Sequence, residues 1–89
     1  MNIRPRIKCP DGFSISIQAN EAAYCIPRKN DAEKYTHVEC GFPSSDDISD
    51  ELKSYAEDTD YMNTVYAYVP ISTVLNELKR HGLILTNIF

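Results

Sequence analysis

Cys9, Cys25, Cys40 and His37 are the residues with the most consequential chemistry, because three thiols and an imidazole could together hold zinc. Structural zinc is usually bound by ligand pairs two to four residues apart, and only His37 and Cys40 come that close. On a strand, positions three apart face opposite sides, so that pair does not converge. All three cysteines fall on or beside core-facing positions, where a reduced thiol packs as a small apolar group. No metal is expected. His37 and Glu39 have the His-x-Glu spacing of zinc deaminases, but the Pro-Cys-x-x-Cys that completes such a site is absent. The pair then reads as the solvated face of a strand. His81 falls in the last turn of a helix, where a cation offsets the helix dipole. No Ser or Cys stands in a nucleophile elbow, and three isolated glycines build no phosphate loop. The chain is expected to be no enzyme and to use no cofactor.

Two groups of side chains suit binding instead. The first is acidic: Asp46, Asp47, Asp50, Glu51, Glu57, Asp58 and Asp60, with Tyr55 and Tyr61 interleaved. Seven carboxylates in fifteen positions exceed what helix ends need. Tyrosines add contact area at low entropic cost, so this group reads as a docking face for a basic protein surface. The second group is Arg4, Arg6, Lys8, Arg28 and Lys29 with Tyr66 and Tyr68, the last two taken as outward-facing. Guanidinium forks grip phosphate and aromatic rings stack on bases, which would suit a small nucleotide.

These groups need a scaffold, and the hydrophobic pattern predicts one. Ile3, Pro5, Ile7 and Cys9 alternate with Arg4, Arg6 and Lys8, a strand that Pro5 confines to a sheet edge. Pro10, Asp11 and Gly12 make a turn, and Phe13, Ile15, Ile17 and Ala19 alternate with Ser14, Ser16 and Gln18 to complete a hairpin. A short strand is expected over 24–26 and a longer one over 35–42. Ser44 and Ser45 precede Asp46 and Asp47, which predicts a helix start. Ile48, Leu52, Tyr55 and Ala56 supply its apolar stripe. Residues 64–69 read as a strand with Val65, Ala67 and Val69 on one face. Pro70 then opens a second helix carrying Ile71, Val74, Leu75 and Leu78, with Lys79, Arg80 and His81 in its last turn and Gly82 beyond it. Residues 83–85 read as a final strand or a packed tail, and Ile88 and Phe89 as an apolar end that docks somewhere. The expected class is α+β: a mostly antiparallel sheet of four to five strands with two helices on one face, in a single domain over 1–89.

Composition agrees with that scale. An 89-residue chain is enough for one domain, and such a chain buries about 60–65% of its unfolded surface. The net charge is −4, divided as +1 over residues 1–42 and −5 over 43–89. This asymmetry argues against direct nucleic-acid binding, which needs a basic face, and fits a basic protein partner. No apolar run spans a membrane, and no apolar stretch follows the basic N-terminus as a secretory signal requires. An odd number of cysteines without a Cys-x-x-Cys pair points to reduced thiols and a cytoplasmic setting. Edge strands leave room for pairing into a homo-oligomer.

Three runs carry a resemblance: Cys9-Pro10-Asp11-Gly12-Phe13-Ser14-Ile15-Ser16-Ile17-Gln18-Ala19, Gly41-Phe42-Pro43-Ser44 and Thr64-Val65-Tyr66-Ala67-Tyr68-Val69-Pro70. Across residues 3–82 the chain resembles small proteins encoded by phages and prophages, a kind that includes anti-CRISPR proteins and other anti-defence inhibitors. The resemblance implies a bacterial host cytoplasm and a viral protein that inhibits a host defence protein stoichiometrically, here through the acidic helix and loop. Alternatives are a sponge for a small phosphorylated signal and a minor virion or regulatory component.

Overall fold

The cleanest alternation in the chain becomes strand β2, Ser14–Gln18, in a computed structural model that describes residues 3–86. Ile15 and Ile17 point into the core with Phe13 and Ala19 at its ends, while Ser14, Ser16 and Gln18 stay half-exposed. Burying each isoleucine contributes about 1.5–3 kcal/mol, which fixes the face. Strand β1 is only Ile7–Lys8, paired antiparallel so that Ile7 faces Ile15 and Lys8 faces Ser14. The expected strand over 3–9 is shortened because Pro5 has no N–H to give. In its place the Gln18 side chain grips the backbone of Arg4, accepting from its N–H and donating to its carbonyl, both at 2.8 Å. Cys9 N–H donates to Phe13 O and Gly12 N–H to Cys9 O, closing the turn at the positive φ of Gly12.

Strands β3, His37–Gly41, and β4, Val65–Pro70, complete a four-stranded antiparallel sheet in the order β1-β2-β3-β4. The β3–β4 ladder is irregular. Val38 faces Val69 and Cys40 faces Tyr66, so Glu39 alone is opposed by both Ala67 and Tyr68. This bulge changes the phase of β4. Tyr66 and Val69 both lie in the core, and Tyr68 turns outward with a left-handed φ of 52°. The expected grouping of Val65, Ala67 and Val69 on the inner face is thereby corrected, and Tyr66 is not an outward tyrosine. Phe42, just beyond β3, is also left-handed and leaves the core face.

Helix α1 is a single turn, Asp50–Lys53, shorter than the helix expected after Ser44 and Ser45. Ser44 is held elsewhere, exchanging hydrogen bonds with the Ser14 backbone at 2.8 Å through its own N–H and its Oγ, and Ser45 Oγ only closes a local turn by accepting from Asp47 N–H. The cap is Ser49, whose Oγ accepts from Leu52 N–H. Beyond Ser54 the chain straightens onto the edge of β4, where Ala56 bridges Tyr66, Glu57 N–H donates to Val65 O and Ala67 N–H donates to Tyr55 O. This pairing closes most of an open sheet edge and ends the helix. Ile48 and Leu52 nevertheless reach the core, and Tyr55 and Ala56 pack against it.

Helix α2, Ile71–Arg80, follows β4 directly and buries Val74 and Leu78. It ends in a Schellman motif: Gly82 N–H donates to Lys79 O, Leu83 N–H donates to Leu78 O, and Gly82 takes φ 91°. The helices touch each other and β4, and their apolar residues join those of the sheet in one cluster. Cys9, Cys25 and Cys40 are free and buried there. The strand expected over 24–26 is reduced to an isolated bridge between Ile26 and His37. Residues 83–85 form no strand, but Leu83 and Leu85 pack on the core. Ile88 and Phe89 lie outside the described residues. Among the described residues no helix is long and apolar enough to cross a membrane.

Candidate interaction surface

The acid-rich segment separates into carboxylates that hold the fold and carboxylates that do not. Asp47 pairs with Arg80 at 2.8 Å, and the Glu51 carboxylate accepts from Thr73 Oγ1 at 2.6 Å. Both therefore tie α1 and its approach to α2. Asp46, Asp50, Glu57, Asp58 and Asp60 are exposed, and none of them joins a salt bridge among the described residues. The Glu57-to-Asp60 loop is nonetheless shaped. Asp58 Oδ1 accepts from Asp60 N–H at 2.9 Å, and the Asp60 carboxylate accepts from Asn63 Nδ2. Tyr55 is half-buried. Tyr61 is also half-buried, with Lys53 Nζ 5.1 Å from its ring centroid and its carbonyl accepting from the Tyr66 hydroxyl.

Between α2 and the approach to α1 lies a buried polar brace. The His81 ring stacks flat on Phe13, with centroids 3.7 Å apart. Its Nδ1 is 2.7 Å from Asp11 Oδ2 and its Nε2 is 3.0 Å from the Asp47 backbone oxygen. Glu77, also buried, accepts from Ser49 Oγ at 2.5 Å and from Arg80 Nη1 at 2.6 Å. Phe13 N–H, and after it His81, holds the Asp11 carboxyl below its usual range. The hydrogen bond to Asp47 pushes the Arg80 guanidinium further up. An open depression of about 420 Å³ exposes part of this brace beside Ser44 and Ser45. Hydrolytic catalysis of the Ser–His–Asp kind needs the outer imidazole nitrogen bonded to the nucleophile. Here that nitrogen is occupied by a backbone carbonyl, so the dyad ties the β1–β2 turn to the approach of α1.

The basic group does not converge. Arg6 spends its guanidinium on Ser14 and on Phe42 O, the latter at 2.6 Å. Arg4 lies over Tyr35, with 6.0 Å to the centroid. Lys8 and Lys29 are exposed. Tyr66 is in the core, and burial pushes its hydroxyl up to about 12. Arg28 and Tyr68 are linked through Tyr24. Arg28 lies 5.2 Å over the Tyr24 ring, and Tyr24 and Tyr68 are 5.9 Å apart.

Tyr24, Glu77 and Asp11 are the residues that sequence pattern missed. A signal did exist for His81: counted from Ile71, Val74 and Leu78 it continues the buried stripe of α2 at helical spacing. Its neighbour one turn back, Glu77, is carried inward by the same geometry. Comparison with known proteins adds no relationship: no protein-family model matches the chain, and no curated protein or solved structure matches it.

Proposed function

We propose that this chain is a non-enzymatic binding protein of the phage anti-defence kind, acting in the bacterial cytoplasm as a stoichiometric inhibitor of a host defence protein. It docks on a basic surface of that protein, one that otherwise holds nucleic acid. The observation that carries the reading is the set of exposed carboxylates at Asp46, Asp50, Glu57, Asp58 and Asp60, outside the described salt bridges, the last three on a loop fixed by its own hydrogen bonds. Unpaired acids on a shaped loop repel one another, and a basic partner relieves that repulsion while gaining orientation and association rate. Asp47 and Glu51 are left out of the docking set because they hold the fold.

The test compares the parent chain with the triple variant Glu57→Lys, Asp58→Lys, Asp60→Lys as bait in lysate of a bacterium with active defence systems, at low and high salt. The parent is expected to retain a nuclease or nucleic-acid-binding defence protein in equimolar amount, released by salt and absent from the variant. Equal recovery by a folded variant refutes the acidic docking face.

A further inference from the structure

The hydrogen bonds of His81 define how many protons its ring carries. The residue is 2% exposed. Its Nδ1 lies 2.7 Å from Asp11 Oδ2 and its Nε2 3.0 Å from the Asp47 backbone oxygen, with Glu77 Oε2 at 3.6 Å from Nε2. A neutral imidazole has one N–H, so its other nitrogen must accept. Neither neighbour has a proton to give. A backbone carbonyl is an acceptor only, and the Asp11 carboxyl already accepts from Phe13 N–H at 2.9 Å and is held below its usual range. A neutral ring donating to Asp11 would aim its remaining lone pair at an oxygen 3.0 Å away. A doubly protonated ring satisfies both acceptors, and 2.7 Å is the length of a charge-assisted N–H···O bond.

The groups packed around the ring favour a positive charge on it. The β1–β2 turn contributes Asp11, with the Cys9 thiol near it, and Phe13 stacked on the ring. The approach to α1 contributes Asp47, and α2 contributes Glu77 and Arg80. Three carboxylates thus meet one guanidinium, which Arg80 divides between Asp47 at 2.8 Å and Glu77 at 2.6 Å. A second cation on His81 takes the cluster from two charges short of neutral to one.

We infer that His81 is folded in as an imidazolium and that its Nε2 proton is a pH-sensitive switch: while that proton is bound, α2 holds the approach to α1 by the Asp47 carbonyl, and when rising pH removes it the tie opens. The proton leaves Nε2 and not Nδ1, because the Asp11 carboxylate keeps the other one. It passes to water through the open depression beside Ser44 and Ser45, which the ring lines. The bare Nε2 lone pair then faces the Asp47 carbonyl and the Glu77 carboxylate, and both repel it. The segment released carries Asp46 and ends at Ser49, the cap of α1. The linkage has a definite sign. An ordinary histidine in an unfolded chain gives up its proton near about pH 6.5, so a proton that the fold keeps stabilises it at mildly acid pH, and that contribution is lost as pH rises. The switch does not depend on what the acidic face binds.

The intact, isotope-labelled chain is titrated from about pH 5 to about pH 9 while nuclear magnetic resonance follows the ring nitrogens and the backbone amides. At about pH 7 His81 is expected to show both nitrogens protonated, with the half-exposed His37, whose Nδ1 meets Thr36 Oγ1, as the internal comparison. Above that pH Nε2 alone loses its proton. In the same step the hydrogen-exchange protection of the Ser49 amide, corrected for the intrinsic rate, falls about ten-fold or more, the size of one lost bond to a charged group. Asp11→Asn keeps an acceptor for Phe13 N–H and removes the charge, so it moves the loss of the His81 proton, and the Ser49 step with it, to lower pH. A ring carrying one proton at about pH 7 overturns the proposal. So does a doubly protonated ring whose titration leaves the Ser49 amide unchanged, or an Asp11→Asn variant that titrates where the parent does.

Discussion

Replacing Glu77 by alanine should be the most destabilising single change among the charged residues. Its carboxylate is buried, with 3% of the side chain exposed, and answers Ser49 Oγ at 2.5 Å, the Ser49 N–H and Arg80 Nη1 at 2.6 Å, with His81 Nε2 3.6 Å away. A hydrogen bond to a charged group contributes about 1.5–3 kcal/mol when both partners are shielded. Arg80 is 42% exposed and can turn to water, so its share is discounted to well under about 1 kcal/mol. His81 keeps Asp11 and the Asp47 carbonyl as partners, so the loss falls on Ser49, the cap of α1, whose N–H and Oγ both answer Glu77. Leaving such a neutral, partly buried partner unsatisfied typically costs about 1–3 kcal/mol. A chain of this length holds on the order of 4–13 kcal/mol in total. Urea unfolding followed by circular dichroism measures the loss directly, as a fall in midpoint at constant slope. Glu77→Gln, which keeps the shape and one acceptor, should lose less. A Glu77→Ala cost under about 1 kcal/mol would show that water substitutes for the carboxylate and that the brace is not structural.

Other expectations follow from single contacts. The Asp11 carboxyl titrates below its unfolded value, so it stabilises the fold above about pH 4 and that stability is lost as pH falls through the folded value. Acid titration of Asp11→Asn against the parent should show the stability gap closing below that pH, and a gap independent of pH refutes the linkage. Burial pushes the Cys40 thiol up and, less strongly, the Cys9 thiol, so both should resist a thiol reagent at mildly alkaline pH until urea unfolds the chain. Rapid native labelling of either refutes their packing. Tyr66→Phe leaves the Tyr61 carbonyl without its 2.6 Å donor and should cost about 1 kcal/mol in urea unfolding, with a cost near zero pointing to water in that place.

Where the pattern was legible, local periodicity and tertiary packing agree. Ile15 and Ile17 are inward on any reading of β2, and Gly82 ends α2 because only its positive φ completes the Schellman bonds. The pattern misleads where two local signals are equally good. Residues 65–69 alternate perfectly, yet β4 contains one residue more than β3 can match, and the surplus at Tyr68 turns Tyr66 inward. Ser44, Ser45, Asp46 and Asp47 look like a helix start, but Ser44 is bound to the Ser14 backbone and Asp47 to Arg80 and His81. A capping motif is a weak preference beside several tertiary bonds. The acidic cluster was visible as composition. Which of its members are committed was not, because Arg80, Thr73 and His81 lie 22 to 34 positions away from their partners.

That division has a consequence for what can be changed separately. Asp47, Glu51 and Glu77 connect α2 to the segment that carries the acids, so altering them confounds binding with folding. Glu57, Asp58 and Asp60 lie beyond α1, on the stretch that turns back along β4, and their carboxylates reach at most their own loop. Neutralising them relieves like-charge repulsion and should leave stability unchanged or slightly raised, by a few tenths of a kcal/mol. If neutralising them leaves the fold as stable as before, these carboxylates are not there for stability, as the proposed docking face requires. The same holds for Tyr68: glycine at that position would relax the backbone and shed an exposed aromatic ring. If Tyr68→Gly unfolds at the same or higher urea concentration than the parent, the tyrosine is maintained against the interest of the fold. If instead the variant loses more than about 1 kcal/mol, the Tyr24 contact is a stability device and the aromatic pair belongs to the scaffold.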